Sequence, residues 1–125
     1  FSRLIIEARA KMEDINLNEV SSPTFSIVNR YEFKNCPIFH IDLYRIQSEE
    51  ELFELGMPDL FDENITLLEW PEVLETIILS RYVKIFIKEN VKFKDCRDLK
   101  IEFLGKGWDK LIDSLLADGY CKRKR

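Results

Sequence analysis

Three short segments place polar side chains at points where an apolar run gives way to a loop: residues 22–25, 40–45 and 67–72. In sheet proteins that also contain helices, the groups that bind ligands gather at the ends of strands. The chemistry of this chain is therefore expected where these three segments meet.

Glu69 follows the apolar run 65–68 and precedes a proline, Pro71. A hydrophobic strand that delivers a carboxylate at its C-terminal end has the shape of a Walker B element. Such a carboxylate can orient a magnesium-bound water or polarise an attacking one, because Mg²⁺ is a hard ion that keeps several of its waters. Taken alone, the pattern equally fits a glutamate that forms an ion pair or caps the next helix.

Asp42 shares the polar face of a predicted strand with His40 and Tyr44. Considered by itself, it is more typical of a structural aspartate bonded to neighbouring amides, because a buried carboxylate must be satisfied. His40, the single histidine of the chain, is interpreted as a packed, hydrogen-bonded ring and is left out of the catalytic set.

Thr24 follows a proline that stiffens the chain, so its hydroxyl could contact a γ-phosphate or its metal, as nucleotide switch loops do. A Ser-Pro-Thr segment is also a common way to begin a strand. The residue alone does not separate the two interpretations.

Alternating and helical patterns indicate the elements that position these residues. Segment 25–33 alternates as a strand, and segment 38–44 follows it closely enough to form a hairpin, with Phe39, Ile41 and Leu43 on one side. The continuous apolar run 65–68 predicts a strand buried on both faces. Segments 82–88 and 99–103 read as strands that close the sheet.

Helical spacing predicts the remaining elements. The apolar stripe of the opening helix is expected to contain Phe1, Leu4, Ile5, Ala8 and Met12. A capping box at residues 48–51 begins a second helix. A third is expected after Pro71, with Val73, Leu74, Ile77 and Ile78 as its buried stripe, and a final one at residues 108–116.

Composition indicates a single domain over residues 1–119 with a short basic tail at 120–125. The chain has 125 residues, 46% of them hydrophobic, and its net charge of −4 provides no basic field to attract nucleic acid. Three widely spaced cysteines suggest neither a disulfide framework nor a zinc site. No run resembles a membrane span or an export leader, so a soluble cytoplasmic protein with no membrane or DNA partner is expected.

In this order, the segments 22–25, 42–45, 50–56 and 68–72 resemble the TsaE family, formerly called YjeE. The resemblance covers residues 1 to about 88. It implies an α/β fold: a P-loop NTPase-like, three-layer domain with a mixed parallel and antiparallel sheet flanked by helices.

The resemblance further implies an ATPase that works with TsaB and TsaD to install threonylcarbamoyl on the adenosine beside the anticodon, with ATP and Mg²⁺ as cofactors and tRNA as an indirect partner. By the same resemblance, Asp42 and Glu69 serve the metal and hydrolysis. Thr24 belongs to the switch segment and, like Trp70, is a candidate cofactor-binding residue. Trp70 lies beside the site, where packing and contact with a partner are its alternative roles.

The chain departs from the family pattern in one respect. Relatives carry a glycine-rich loop ending in Gly-Lys-Thr just before the opening helix, whereas these 125 residues contain no GxxxxGK[ST] segment. We therefore expect the chain to be truncated at its N-terminus and to bind ATP poorly as it stands. The alternative is a non-catalytic remnant that keeps only the surface for docking its partners. Direct RNA binding is disfavoured by the acidic balance.

Overall fold

The computed structural model describes residues 1–61, 64–74, 79–119 and 121–123. Contacts between residues divide the chain into two compact units, Phe1–Ile78 and Leu79–Arg125. Each unit is described by itself below. The single domain and the basic tail expected from the sequence stay predictions.

A three-stranded sheet forms the centre of the first unit, with strands β1 (Val28–Tyr31), β2 (Ile38–Asp42) and β3 (Ile65–Glu69) in the order β1-β2-β3. Strand β1 pairs antiparallel with β2, as the predicted hairpin requires. Strand β3 pairs parallel with β2, because the connection between them is long enough to return to the same end of the sheet. The predicted mixed sheet is confirmed.

Helices and turns accompany both faces of this sheet. Helix α1 (Ser2–Met12) precedes the strands, and helix α2 (Glu49–Glu54) lies in the crossover from β2 to β3. Helix α2 begins as predicted, since the Ser48 hydroxyl accepts from the Glu51 amide. Short 3₁₀ helices follow at Met57–Leu60 and Pro71–Leu74.

Strand β2 separates two apolar clusters, because its side chains alternate between the faces of the sheet. The cluster that includes helix α1 contains Ile6, Ala10, Val20, Tyr31, Phe33 and Ile38. The cluster that includes helix α2 contains Phe39, Ile41, Leu43, Leu52, Met57 and Leu74. All five residues of β2 are buried, as expected for the middle layer of a three-layer α/β fold.

The buried face of α1 differs from the predicted stripe. Ser2, Ile6 and Ala10 are buried, whereas Leu4 and Met12 are 65% and 81% exposed. Apolar residues lie on more than one side of this helix, so periodicity alone could not select the face that packs. Small side chains such as Ser2 and Ala10 allow a helix to approach a sheet closely.

The prediction of a strand over 25–33 is wrong for its first half. Residues 23–26 form turns, Phe25 is 90% exposed, and Ile27 has a φ of +66°. Regular pairing begins only at Val28. Alternation of side chains along the sequence does not reveal a backbone that folds back before it extends.

Strand β3 is less buried than its continuous apolar run predicts. Ile65 is 41% exposed and the residues after it are half-buried, since within the described residues β3 pairs only with β2. After Pro71 the chain forms a 3₁₀ turn in which Val73 is half-buried and Leu74 buried. Ile77 and Ile78 of the predicted stripe lie outside the described residues.

The second unit contains a β-hairpin and a helix. Strands β4 (Tyr82–Glu89) and β5 (Arg97–Leu104) pair antiparallel, and helix α3 (Asp109–Ala117) follows near the predicted position. The expectation that these strands close the first sheet is wrong, because they form a two-stranded sheet of their own. Across all residues that the structure describes, no helix is both long and apolar enough to span a bilayer.

Candidate functional site

Thr24 and Asp42 are joined by a hydrogen bond. The Thr24 hydroxyl donates to Asp42 Oδ2 over 3.1 Å, and Ser22 Oγ lies 2.8 Å from Thr24 Oγ1. A hydroxyl has one proton, so the Ser22 hydroxyl is the donor in the second bond. The hydroxyl of Thr24 is therefore held toward the end of β2, although 18 residues of sequence separate it from Asp42.

The loop that carries Thr24 is anchored by main-chain bonds. The Ile27 amide donates to the Pro23 carbonyl over 2.7 Å, and the Asp42 amide donates to the Ile27 carbonyl over 3.0 Å. The Arg45 guanidinium also donates to the Phe25 carbonyl over 2.6 Å. The positive φ of Ile27 is unfavourable for a β-branched residue, with a typical cost of about 1–3 kcal/mol, so these bonds hold a strained turn.

Asp42 is 7% exposed, and both of its carboxylate oxygens are engaged. Oδ2 accepts from Thr24, and Oδ1 accepts from the Tyr44 amide over 3.0 Å. In the parallel pairing of β2 with β3, Asp42 lies directly opposite Glu69. Both carboxylates therefore project from the same sheet face at the C-terminal ends of neighbouring strands, where the sequence predicted that they would meet.

Glu69 is bound to the buried histidine. His40 Nε2 and Glu69 Oε1 lie 2.8 Å apart, and the side chains are 3% and 36% exposed, respectively. Because an ionised carboxylate only accepts, the assigned tautomer of a neutral His40 carries its proton on Nε2. Nδ1 of His40 is buried without a hydrogen-bond partner among the described residues.

His40 is the packed, hydrogen-bonded ring predicted from the sequence, but its partner Glu69 was not predicted. His40 lies opposite Leu67 in the register, on the same face as Asp42 and Glu69. The pair could have been predicted from two features of the sequence. Residues 40 and 42 lie on the same face of a strand, and parallel pairing places the strand that ends at Glu69 beside that strand.

Trp70 directly follows Glu69 and has a φ of +57°. Its side chain is 56% exposed, and its ring meets the ring of Tyr44 edge-on, with centroids 5.3 Å apart. Trp70 and Tyr44 thus form an exposed aromatic pair that follows the strand ends on which Glu69 and Asp42 lie.

An open cavity of about 300 Å³ lies at the start of helix α1. Its walls are formed by Phe1, Arg3, Glu19, Val20, Ser21, Ser22, His40 and Glu69. Of the four predicted site residues, all of which are described, Glu69 lines the cavity. Thr24 is hydrogen-bonded to Ser22, which lines the cavity, and Asp42 is hydrogen-bonded to Thr24. Trp70 is not among the lining residues but directly follows Glu69 in the sequence.

The oxygen donors of this site suit a magnesium ion. Within the described residues, no group of three or more His, Cys, Asp or Glu side chains forms a complete cage for a metal. Mg²⁺ does not need such a cage, because it is commonly held by one or two carboxylates, waters and phosphate oxygens. Asp42 and Glu69 provide two carboxylates in register, and Thr24 provides a hydroxyl beside them.

Residues 2–98 match the model of a family described as threonylcarbamoyl adenosine biosynthesis protein TsaE. The chain belongs to the TsaE family. The match covers Thr24, Asp42, Glu69 and Trp70 and extends into the hairpin of the second unit. It confirms the family resemblance inferred from the segments around Thr24, Asp42 and Glu69.

Individual TsaE proteins show the same relationship. The chain is 35% identical over 69 residues to the protein of Rickettsia bellii, which aligns 55% of this chain and 48% of that protein. It is 43% identical over 68 residues to the protein of Borreliella burgdorferi, covering 52% and 49%, respectively. It is 30% identical over 97 residues to the protein of Bacillus subtilis, covering 77% of this chain and 59% of that protein. The chain thus spans about half the length of the curated TsaE relatives it matches.

The fold is also that of a solved structure. The crystal structure of Bacillus subtilis YdiB superposes with a TM-score of 0.60 at 20% identity, covering 94% of this chain and 70% of that one. This similarity bears on the fold alone, and it confirms the predicted α/β class.

Proposed function

We propose that this chain belongs to the ATP-binding and hydrolysing subunit required for threonylcarbamoylation of the adenosine next to the anticodon in tRNA, acting in the cytoplasm with TsaB and TsaD. The observation that carries the proposal is the opposition of Asp42 and Glu69 in register, with Thr24 bonded to Asp42. Family membership supports the pathway.

The proposed roles follow from the position of each side chain. Asp42 and Glu69 would hold Mg²⁺ together with nucleotide oxygens, and the ion would supply charge neutralisation at the phosphates. Thr24 would report the nucleotide state, because its hydroxyl bonds to Asp42 and its loop is under strain. Glu69, which lines the cavity, would orient the attacking water. Exposed Trp70 would flank the nucleotide.

The cavity is a suitable place for phosphate. It opens at the N-terminus of an 11-residue helix, whose first amides lack intrahelical acceptors and whose dipole favours negative charge. Arg3 in the wall is paired with Glu7, and the wall also contains the carboxylates of Glu19 and Glu69. The helix end is therefore the part of the cavity that favours an anion. These features supply only part of a phosphate cradle, because the 125 residues contain no GxxxxGK[ST] segment.

That sequence observation favours a second candidate, a non-catalytic adaptor that docks on TsaB and TsaD without hydrolysing ATP. The genomic sequence upstream of the codon for Phe1 separates the two candidates. An open reading frame encoding Gly-Lys-Thr supports the ATPase, whereas an in-frame stop supports the adaptor.

The decisive experiment measures magnesium-dependent ATP binding and hydrolysis by the full-length product of the gene, alone and with TsaB and TsaD. We expect slow hydrolysis, reduced about 100-fold or more by Glu69→Gln, because general acid–base groups typically contribute that much. Glu72→Gln is the matched control: Glu72 is exposed and lies three residues further along, so its neutralisation should change the rate less than about 2-fold. A full-length protein that neither binds nor hydrolyses ATP under these conditions would refute the proposal.

A further inference from the structure

We propose that His40 is a positioning residue for Glu69, an inference that rests on the proposed ATPase function. The buried imidazole donates from Nε2 to Glu69 Oε1 and thereby holds the carboxylate at the wall of the cavity at the start of α1. In this role His40 acts through Glu69.

The difference in burial between the partners is the first reason. His40 is 3% exposed and lies in the central strand, whereas Glu69 is 36% exposed at the end of β3. A glutamate with that much exposure can adopt several rotamers, and fixing one of them costs entropy. A 2.8 Å bond to a buried ring selects one orientation before any ligand arrives.

The register supplies the second reason. Residues 40 and 42 of β2 lie on one face, and Asp42 stands opposite Glu69, so His40 lies one step back along the same face. From this position the imidazole reaches Glu69 diagonally, while Asp42 is held separately by Thr24 and the Tyr44 amide. The two carboxylates are thus held by different partners.

The unpartnered ring nitrogen is the third reason. His40 Nδ1 is buried with no hydrogen-bond partner in the described part of the chain, which makes the ring costly as a packing element. In the register Asn29 of β1 and the apolar Leu67 of β3 lie opposite it, and Ile38 precedes it on the same face, so an aliphatic side chain could pack here without that cost. The bond to Glu69 is the interaction that an imidazole provides here and an aliphatic side chain does not.

Two substitutions separate positioning from packing. His40→Leu fills the position with an aliphatic side chain of moderate size but removes the N–H group that donates to Glu69. His40→Gln places an amide N–H near the position of Nε2 and can still donate to Glu69. Ile38→Ala is the matched control, because Ile38 is 2% exposed on the same face and belongs to the apolar cluster, so it reports the effect of destabilisation alone.

Steady-state kinetics of the full-length protein provide the first readout. We expect His40→Leu to lower kcat by about 10- to 100-fold, with KM for Mg·ATP within about 3-fold of wild type, because partners that orient ligand groups typically have effects of this size. His40→Gln should recover kcat to within about 5-fold of wild type, and Ile38→Ala should leave kcat unchanged at a temperature where it is folded.

The second readout is independent of activity. The 125 residues contain one histidine, and comparison with His40→Gln assigns its ring-nitrogen resonances in the spectrum of full-length protein carrying selectively labelled histidine. We expect the wild-type spectrum to show a proton on Nε2, and Glu69→Ala to shift that resonance toward an unbonded or mixed tautomer. Identical ring resonances in the two proteins would overturn the inference even if His40→Leu does not fold.

The outcomes also distinguish this inference from the proposed function. If the wild-type protein hydrolyses Mg·ATP and His40→Leu has the same kcat as Ile38→Ala, the positioning role is wrong and the ATPase function stands. If the full-length wild-type protein shows no hydrolysis, the proposed function fails, and the positioning role for that reaction fails with it.

Discussion

Replacing Asp42 with asparagine separates the charge of this side chain from its hydrogen bonds. Asparagine has nearly the same shape, so its oxygen can keep the bond from the Tyr44 amide while its NH₂ group faces Thr24 Oγ1. A hydroxyl can accept as well as donate, so the contact with Thr24 survives with its direction reversed. Asp42→Ala, in contrast, removes the acceptor of both donors.

The magnitudes follow from these contacts. Hydrogen bonds to charged groups contribute about 1.5–3 kcal/mol each, but Thr24 and Tyr44 are exposed and can bond to water when Asp42 is truncated. We therefore expect Asp42→Ala to lower the free energy of unfolding by about 1–3 kcal/mol and Asp42→Asn by less than about 1 kcal/mol. For hydrolysis, loss of the negative charge at the proposed metal site should remove about 3 kcal/mol of transition-state stabilisation, or about 100-fold in kcat.

Two measurements on the same preparations test this reasoning. Urea unfolding followed by circular dichroism gives the change in stability. The variants are compared by their unfolding midpoints, provided that the m-value, the slope of the unfolding free energy against urea concentration, is unchanged. Steady-state hydrolysis of Mg·ATP by the full-length protein gives the change in kcat. The expected signature of Asp42→Asn is a nearly wild-type unfolding midpoint with a large loss of activity.

Either half of that signature can fail. Equal destabilisation by asparagine and alanine would show that the carboxylate charge, and not the geometry of two hydrogen bonds, stabilises this strand end. A nearly wild-type kcat in Asp42→Asn would show that the charge of Asp42 does not serve the metal, and the role assigned to it would be wrong.

Two further predictions concern the backbone and a helix cap. Gly56 and Gly105 both have positive φ, but a Cβ on Gly56 meets no atom within 4 Å, whereas one on Gly105 would collide with the Ser80 carbonyl oxygen. Thermal unfolding should therefore show a loss of about 1–2 kcal/mol for Gly56→Ala and a clearly larger loss for Gly105→Ala; equal losses would contradict this account. The pKa of Glu50 is lowered by a hydrogen bond from its own backbone amide and by a hydrogen bond from the Ser48 hydroxyl. The ionised carboxylate therefore stabilises the fold at pH values above the pKa of Glu50 in the unfolded chain. This contribution is lost as the pH falls through the pKa of Glu50 in the folded protein. Ser48→Ala should raise the Glu50 pKa toward its ordinary value, measured by NMR titration, and destabilise the fold by about 1 kcal/mol; an unchanged pKa would exclude the hydroxyl as a cause.

Local patterns predicted much of the first unit. Alternation assigned Phe39, Ile41 and Leu43 to one face of β2 and His40 and Asp42 to the other, and the structure confirms the division. The Ser48 hydroxyl also caps helix α2 as predicted, although Glu51 Oε2 accepts from the Gln47 amide and not from the Ser48 amide of a complete capping box. These features depend on residues a few positions apart, so they can be predicted without knowing the long-range contacts of the chain.

The same patterns were less informative where several faces or partners were available. Leu4 and Ile6 are both apolar, yet only Ile6 packs in the core, because a helix with apolar residues on several sides does not specify which one meets a sheet. Apolar and polar residues alternate along β4 and β5, as they do in the strands of a larger sheet. Alternation does not specify which other strands these two pair with.

The candidate site divides in the same way. The residue types and order around Thr24, Asp42 and Glu69 were sufficient to predict the family, whereas the metal and nucleotide chemistry assigned to them stays a prediction. Only the tertiary structure decided that Thr24 bonds to Asp42, that Asp42 lies opposite Glu69 and that His40 bonds to Glu69. The physical reason is that side-chain alternation is a property of neighbouring residues, whereas these three relationships depend on the register of parallel strands and on a strained turn, both of which form only when distant segments pack together.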